Sequence, residues 1–133
     1  MVEKLQGLLK NSYSPYSHFA VSAIVIMNDG REFCGVNVEN ASFGATICAE
    51  RNAINAAISA GYSKGDFNSI SIMVSSERNS TCCFLCRQVI NEFFNDEAII
   101  NCYNIKGEVK TYTVKQFCPH PFGEGDLNWK VDL

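Results

Sequence analysis

The sequence predicts an α/β fold, a three-layer α/β/α sandwich built on a five-stranded mixed sheet. Segments follow in the order helix, strand, strand, helix, strand, helix, strand, strand. Helices lie between consecutive strands, which implies right-handed crossovers and a partly parallel sheet. Hairpins at the two ends add antiparallel pairs.

Residues 2–11 put Val2, Leu5, Leu8 and Leu9 on one helical face, and the pattern breaks around Pro15. Residues 19–28 are rich in Val and Ile and run into Asn28-Asp29-Gly30, a strong hairpin signal. Residues 31–38 form the returning strand. A loop of polar and small residues covers 39–46. Residues 47–60 favour helix, and Gly61 is a plausible stop. Ile70, Ile72 and Val74 alternate in a third strand, and 77–82 is a polar loop. Residues 83–94 read as a second long helix, with Leu85, Val89, Ile90, Phe93 and Phe94 supplying apolar contacts. Residues 98–103 and 109–114 bracket Lys106-Gly107 as the fourth and fifth strands. The tail from Gln116, with Pro119, His120, Pro121 and Phe122, reads as irregular.

The 133 residues are expected to form a single domain, 1–133, which at this size buries roughly 70% of its unfolded surface. Hydrophobic residues make up 47% and charged residues 19%, which excludes a disordered, charge-dominated chain. The longest mostly apolar run, interrupted by Ser22, is far short of the roughly 20 residues of a membrane span. Glu3 and the lack of a long apolar stretch argue against an export signal. A net charge of −3 argues against a nucleic acid polymer as partner. The 7 cysteines, odd in number and without an export signal, read as reduced thiols of a cytoplasmic protein.

Two helix starts carry the candidate chemistry. One is Cys48-Ala49-Glu50-Arg51, the other Cys83-Phe84-Leu85-Cys86-Arg87-Gln88. Both follow strand-to-loop transitions, at the strand ends where ligands commonly bind in open α/β sheets. Helix N-termini favour thiolates over thiols. Three thiolates suit a catalytic zinc ion with a fourth position left for water, whose pKa falls to about 7. Glu50 then stands near the metal as a proton acceptor and donor. Arg51 and Arg87 can offset the thiolate charge by hydrogen bonding to sulfur. A CxxC pair alone fits structural zinc or redox chemistry equally, and Cys82 could close a four-thiolate site.

With these motifs the chain resembles the small, homotetrameric-type cytidine deaminases of pyrimidine nucleoside salvage. The matching segments are Ser14-Pro15-Tyr16-Ser17-His18-Phe19-Ala20-Val21, Asp29-Gly30, Asn37-Val38-Glu39-Asn40-Ala41-Ser42, Cys48-Ala49-Glu50-Arg51, Cys83-x-x-Cys86-Arg87-Gln88 and Phe122-Gly123. The resemblance implies a cytidine deaminase-like fold and one zinc ion per subunit on Cys48, Cys83 and Cys86. It implies hydrolytic deamination of cytidine and deoxycytidine to uridine and deoxyuridine with release of ammonia. Zinc-bound hydroxide would attack C4, and Glu50 would shuttle the proton. Asn37 and Glu39 match residues that hold the ribose hydroxyls, and Phe19 an aromatic beside the pyrimidine. The backbone around Ala49 would meet the polar edge of the base. Arg51 matches a residue that tempers the thiolate charge, with Gln88 supporting the same surroundings. Phe122 matches an aromatic near a neighbouring subunit's pocket, and Phe43 stands at the subunit boundary where tyrosine is frequent. The implied assembly is a homotetramer with active sites at subunit interfaces.

The chain departs from the family pattern at three places. Cys82 stands where the pattern has proline, Phe84 where it has glycine, and Glu124 where proline follows Phe-Gly. Cys82 gives up the preset φ of proline at a helix entry and makes the ligand register ambiguous. Phe84 fills space that glycine leaves open. Two other readings remain: a deaminase of another aminopyrimidine nucleoside, such as blasticidin S, and a non-catalytic structural-zinc interaction module.

Overall fold

The apolar face of Val2, Leu5, Leu8 and Leu9 becomes helix α1, Val2–Leu9, in the computed structural model, which describes residues 1–127. Strands β1, Val21–Met27, and β2, Glu32–Val36, form the first hairpin, with Gly30 at a φ of 91° in its turn. Helix α2 is Ala49–Ser59, β3 is Phe67–Val74, and α3 is Phe84–Phe93. Strands β4, Phe94–Tyr103, and β5, Val109–Thr113, are followed by a short helix α4, Val114–Phe117. Phe43–Ala45 and Glu124–Leu127 form single 3-10 turns.

The five strands form one sheet in the order β2-β1-β3-β4-β5. β1 is antiparallel to both β2 and β3, and β4 runs parallel to β3 and antiparallel to β5. β2, β3 and β4 therefore point the same way, and their carboxyl ends meet the start of β1, where Val21 pairs with Val74 and Ser22 with Val36. The sheet is mixed as the sequence predicts.

α1 covers one face, burying Leu5 and Leu9 against Ile24 and Met73. Ala53, Ile54 and Ala57 of α2, with Cys86 and Ile90 of α3, bury the other face against Ala23, Val25, Ile70, Ile72 and Ile100. Covered on both sides, β3 buries Ser69 and Ser71 as well as Ile70, Ile72 and Val74, so the expected half-exposed alternation gives way to burial on both faces. Buried Ser22 donates its hydroxyl to the Leu5 carbonyl at 2.9 Å, which tolerates the polar residue in the apolar run.

Among the expected boundaries that shift, two do so through long-range pairing and one through a local cap. Ile47 is extended rather than helical because its backbone pairs with Val38, and α2 starts beyond it. Phe94 opens β4 instead of closing α3, since it pairs with Phe67 and their rings stack at 4.7 Å. Val114 leaves β5 for α4, because the Thr113 hydroxyl accepts from the Gln116 N–H while the Gln116 side chain accepts from the Thr113 N–H. That capping box orders a tail expected to be irregular, with Val114 and Phe117 turned into the core.

Candidate metal centre and adjoining cavity

α2 starts where β2 lets it approach. A Cβ on Gly35 would lie 2.3 Å from the Ala49 carbonyl oxygen and 2.5 Å from the Ala53 nitrogen, so only glycine fits there. Asn52 Nδ2 donates to the Val36 carbonyl at 2.8 Å and ties the first turn to the end of β2. Cys48 caps this helix in an extended conformation, with Ala49 and Glu50 buried behind it.

The start of α3 lies beside it. Cys83 is the N-cap, and its sulfur accepts the Cys86 N–H at 3.4 Å. One CxxC turn therefore aims both sulfurs at the first helix start. The sulfurs of Cys48, Cys83 and Cys86 all lie within 4.8 Å of one another, and Cys48 and Cys83 are 3.8 Å apart. Two sulfurs bound to a tetrahedral zinc ion at about 2.3 Å each would be about 3.8 Å apart. The donor set fits zinc.

The electrostatics agree with that fit. Hydrogen bonding with Cys86, and the Arg51 guanidinium at 3.3 Å, bring the Cys48 thiol down to about 5 despite burial. Cys86, hydrogen-bonded to that sulfur and buried, is pushed the other way. Glu50 is 5% exposed, and burial, followed by the negative Cys48 sulfur, raises its carboxyl above the usual range. Cys82 is not among the clustered sulfurs: it is buried in the core and lines the cavity in front of the cluster. The register expected from the CxxC spacing, Cys83 with Cys86, is the one whose sulfurs converge.

Arg87 and Gln88 face elsewhere. Arg87, considered from the sequence as a partner for sulfur, donates to the Cys82 carbonyl at 2.9 Å, the Phe117 carbonyl at 3.3 Å and the Thr81 hydroxyl at 2.9 Å. Its guanidinium stacks over Phe84 and Phe117. Gln88, expected to support the thiolates, donates instead to the Phe122 carbonyl at 2.8 Å. Both side chains point toward the tail, because α4 and the segment after it pack on this side of α3.

Cys48, Cys83 and Glu50 line a cavity of about 300 Å³ with Phe19, Asn37, Glu39 and Ala49, and Cys86 lies buried behind it. Thus four residues expected to contact a ligand share one cavity with the metal cluster. Asn37 is buried: its Oδ1 accepts from the Val21 N–H at 2.9 Å and from the Ser12 hydroxyl, and its Nδ2 donates to the Phe19 carbonyl at 2.8 Å. One Nδ2 hydrogen is left for a ligand. Phe122 and Phe43 line separate surface depressions, and both are exposed. Ser17, Thr46 and Thr81 also line the main cavity. Ser17 had a signal, its place beside Phe19, but its partner lies far along the chain.

Residues 1–103 match the family described as the cytidine and deoxycytidylate deaminase zinc-binding region. The chain is 35% identical over 135 residues to the cytidine deaminase of Sporosarcina psychrophila, covering 98% of each chain. It is 36% identical to that of Halalkalibacterium halodurans, covering 90% of this chain and 89% of the relative. The crystal structure of the Burkholderia pseudomallei cytidine deaminase superposes with a TM-score of 0.87 at 36% identity, covering 91% of this chain and 95% of that one. With the sulfur cluster formed by the helix starts that carry the sequence motifs, the chain belongs to the zinc-binding cytidine and deoxycytidylate deaminase family.

Proposed function

We propose that this protein hydrolyses the exocyclic amine of cytidine and deoxycytidine, giving uridine or deoxyuridine and ammonia, as a single catalytic unit over residues 1–133. The observation that carries this reading is a cluster of three cysteine sulfurs, two of which, Cys48 and Cys83, line one cavity with the buried Glu50.

Cys48, Cys83 and Cys86 would hold the zinc ion. When bound, zinc would lower the pKa of a water to about 7, so that a hydroxide nucleophile is available at neutral pH. Glu50 takes one proton from the attacking water and gives it to N3 of the pyrimidine, then takes the remaining proton of the hydroxyl added at C4 and gives it to the amine, which departs as ammonia. Burial, which raises the Glu50 carboxyl above its ordinary range, supports this role. Arg51 draws charge from the Cys48 sulfur and so limits the electron richness of a three-thiolate site. Phe19 flanks the pyrimidine, the backbone at Ala49 meets its polar edge, and Asn37 and Glu39 take the ribose hydroxyls. Their shared cavity supports these assignments.

The working form is a cytoplasmic homotetramer in which Phe122 and Phe43 approach neighbouring subunits. Phe43 at 75%, Phe84 at 78%, Leu85 at 68% and Phe122 at 58% exposure leave apolar surface that a second copy would cover. No helix of the described residues is long and apolar enough to cross a membrane.

The test is cytidine turnover by the purified, zinc-loaded protein, followed by the loss of cytidine absorbance. Turnover that disappears on chelation supports the reading. A folded protein with bound zinc and no activity on either nucleoside would overturn it and favour another aminopyrimidine substrate.

A further inference from the structure

The loop before β1 is fastened by one carboxylate. Glu39 Oε1 accepts the Tyr16 N–H at 3.0 Å and the Ser17 N–H at 3.1 Å. Its Oε2 accepts the Ser17 hydroxyl, and the Ser17 Oγ itself accepts the Phe19 N–H at 3.0 Å. The hydroxyl has one proton, and this pattern commits it to Glu39. A carboxylate offers about four acceptor positions. Three are filled within the chain, both on Oε1 and one on Oε2, so the remaining one is on Oε2 beside the Ser17 bond. Ser17, Glu39 and Phe19 all line the main cavity.

His18, between Ser17 and Phe19, has a φ of 56°, in a region that side chains other than glycine seldom adopt. The His18 N–H closes the turn on the Ser14 carbonyl at 3.0 Å. The left-handed residue reverses the chain so that Ser17 and Phe19 both reach the cavity. One hydroxyl thus joins the side chain proposed to take the sugar to the residue proposed to flank the base.

We propose that Ser17 is a positioning residue for nucleoside recognition: its hydroxyl, its direction fixed by the bond from the Phe19 N–H, aims the free acceptor of Glu39 Oε2 at a sugar hydroxyl. This rests on the reading of Glu39 as a ribose contact. Ser17 acts on the sugar through Glu39. The Glu39 carboxyl is held below its usual range first by this same hydroxyl, which keeps the acceptor charged.

The experiment compares Ser17→Ala and Ser17→Thr with the wild-type protein on cytidine and on 2′,3′-dideoxycytidine. Ser17 is on an exposed loop, so the fold should survive the change. Ser17→Ala should raise KM for cytidine about tenfold, the size of one hydrogen bond to a charged group, with kcat changed less than about twofold. The KM for dideoxycytidine should move less than about twofold, and Ser17→Thr should recover most of the cytidine KM. Adding Ser17→Ala to Glu39→Gln should cost little more than Glu39→Gln alone, because both act through one interaction. An unchanged cytidine KM, an equal rise for both nucleosides, or additive losses in the double variant would overturn the proposal. Wild-type protein that turns over neither nucleoside would instead overturn the functional reading on which it depends.

Discussion

Arg51 Nη2 donates to Cys48 Sγ at 3.3 Å across one turn of α2. The bond holds a permanent positive charge beside one of the three clustered sulfurs, and Arg51 is the arginine of the two motifs that reaches sulfur through its side chain. Substitution of residues that support metal ligands commonly costs about 10–100-fold in metal affinity or activity. Arg51→Gln should therefore lower kcat/KM by about that factor while leaving cytidine KM nearly unchanged. Chelator competition for zinc, together with steady-state kinetics, checks this.

Glu50→Gln keeps the volume and burial of the side chain but removes its ability to carry a proton. It should bind zinc in full and lose on the order of 10²–10⁴ in kcat. Zinc analysis of the purified variant beside its turnover provides the measurement; a fully active Glu50→Gln protein would contradict the proposed role.

The register of the metal ligands is open to a direct comparison. Cys82 stands outside the sulfur cluster, whereas Cys83 is inside it. Cys82→Ala should retain one equivalent of zinc, and Cys83→Ala should lose most of it. X-ray absorption at the zinc edge of the unmodified protein should show three sulfur ligands and one lighter atom. Four sulfurs, or zinc lost from Cys82→Ala, would shift the register.

Gly35→Ala places a methyl group 2.3 Å from the Ala49 carbonyl, where the neighbouring atoms are backbone. The start of α2 must move, and Cys48 and Glu50 move with it. Overpacking of this kind costs about 1–3 kcal/mol. Thermal unfolding should show a clearly lower Tm, and chelators should extract zinc faster than from the wild-type protein.

The Glu39 carboxyl is held below its ordinary value, first by the Ser17 hydroxyl and then by the backbone N–H groups of Ser17 and Tyr16. A depressed carboxyl stays charged down to pH values below the unperturbed value of about 4.3 and is lost only as the pH falls through its own pKa. Cytidine KM should therefore stay within about twofold from about pH 7.5 to about pH 5. A steep rise within that window would show that Glu39 is not held charged.

Much of the molecule is legible locally. The helical spacing of Leu5, Leu8 and Leu9, the Asn28-Asp29-Gly30 turn and the run of Val and Ile after Phe19 act over a few residues, so their elements appear close to where the sequence puts them. The sulfur cluster was legible because both contributing motifs sit at helix starts, and helix starts follow from local caps. Arg51 was legible for the same reason, since its partner is one turn away. Arg87 and Gln88 were not. Their neighbours in sequence are ligands, but their partners are carbonyls at Phe117 and Phe122, and no local pattern tells which way a helix face will look.

By itself the sequence determined the order of elements, the mixed character of the sheet and the residues available for metal chemistry, because each depends on short-range periodicity, turn geometry or the chemistry of a side chain. Only the tertiary structure decided which of the adjacent cysteines, Cys82 or Cys83, faces the other sulfurs. That choice follows from the packing of α3 against the core, which buries Cys82. It also decided that the Ser17 hydroxyl meets Glu39, 22 residues away. Contacts of this kind exist only after the sheet has placed the ends of β2 and β3 beside the start of β1, and that placement is set by burial on both faces of the sheet at once.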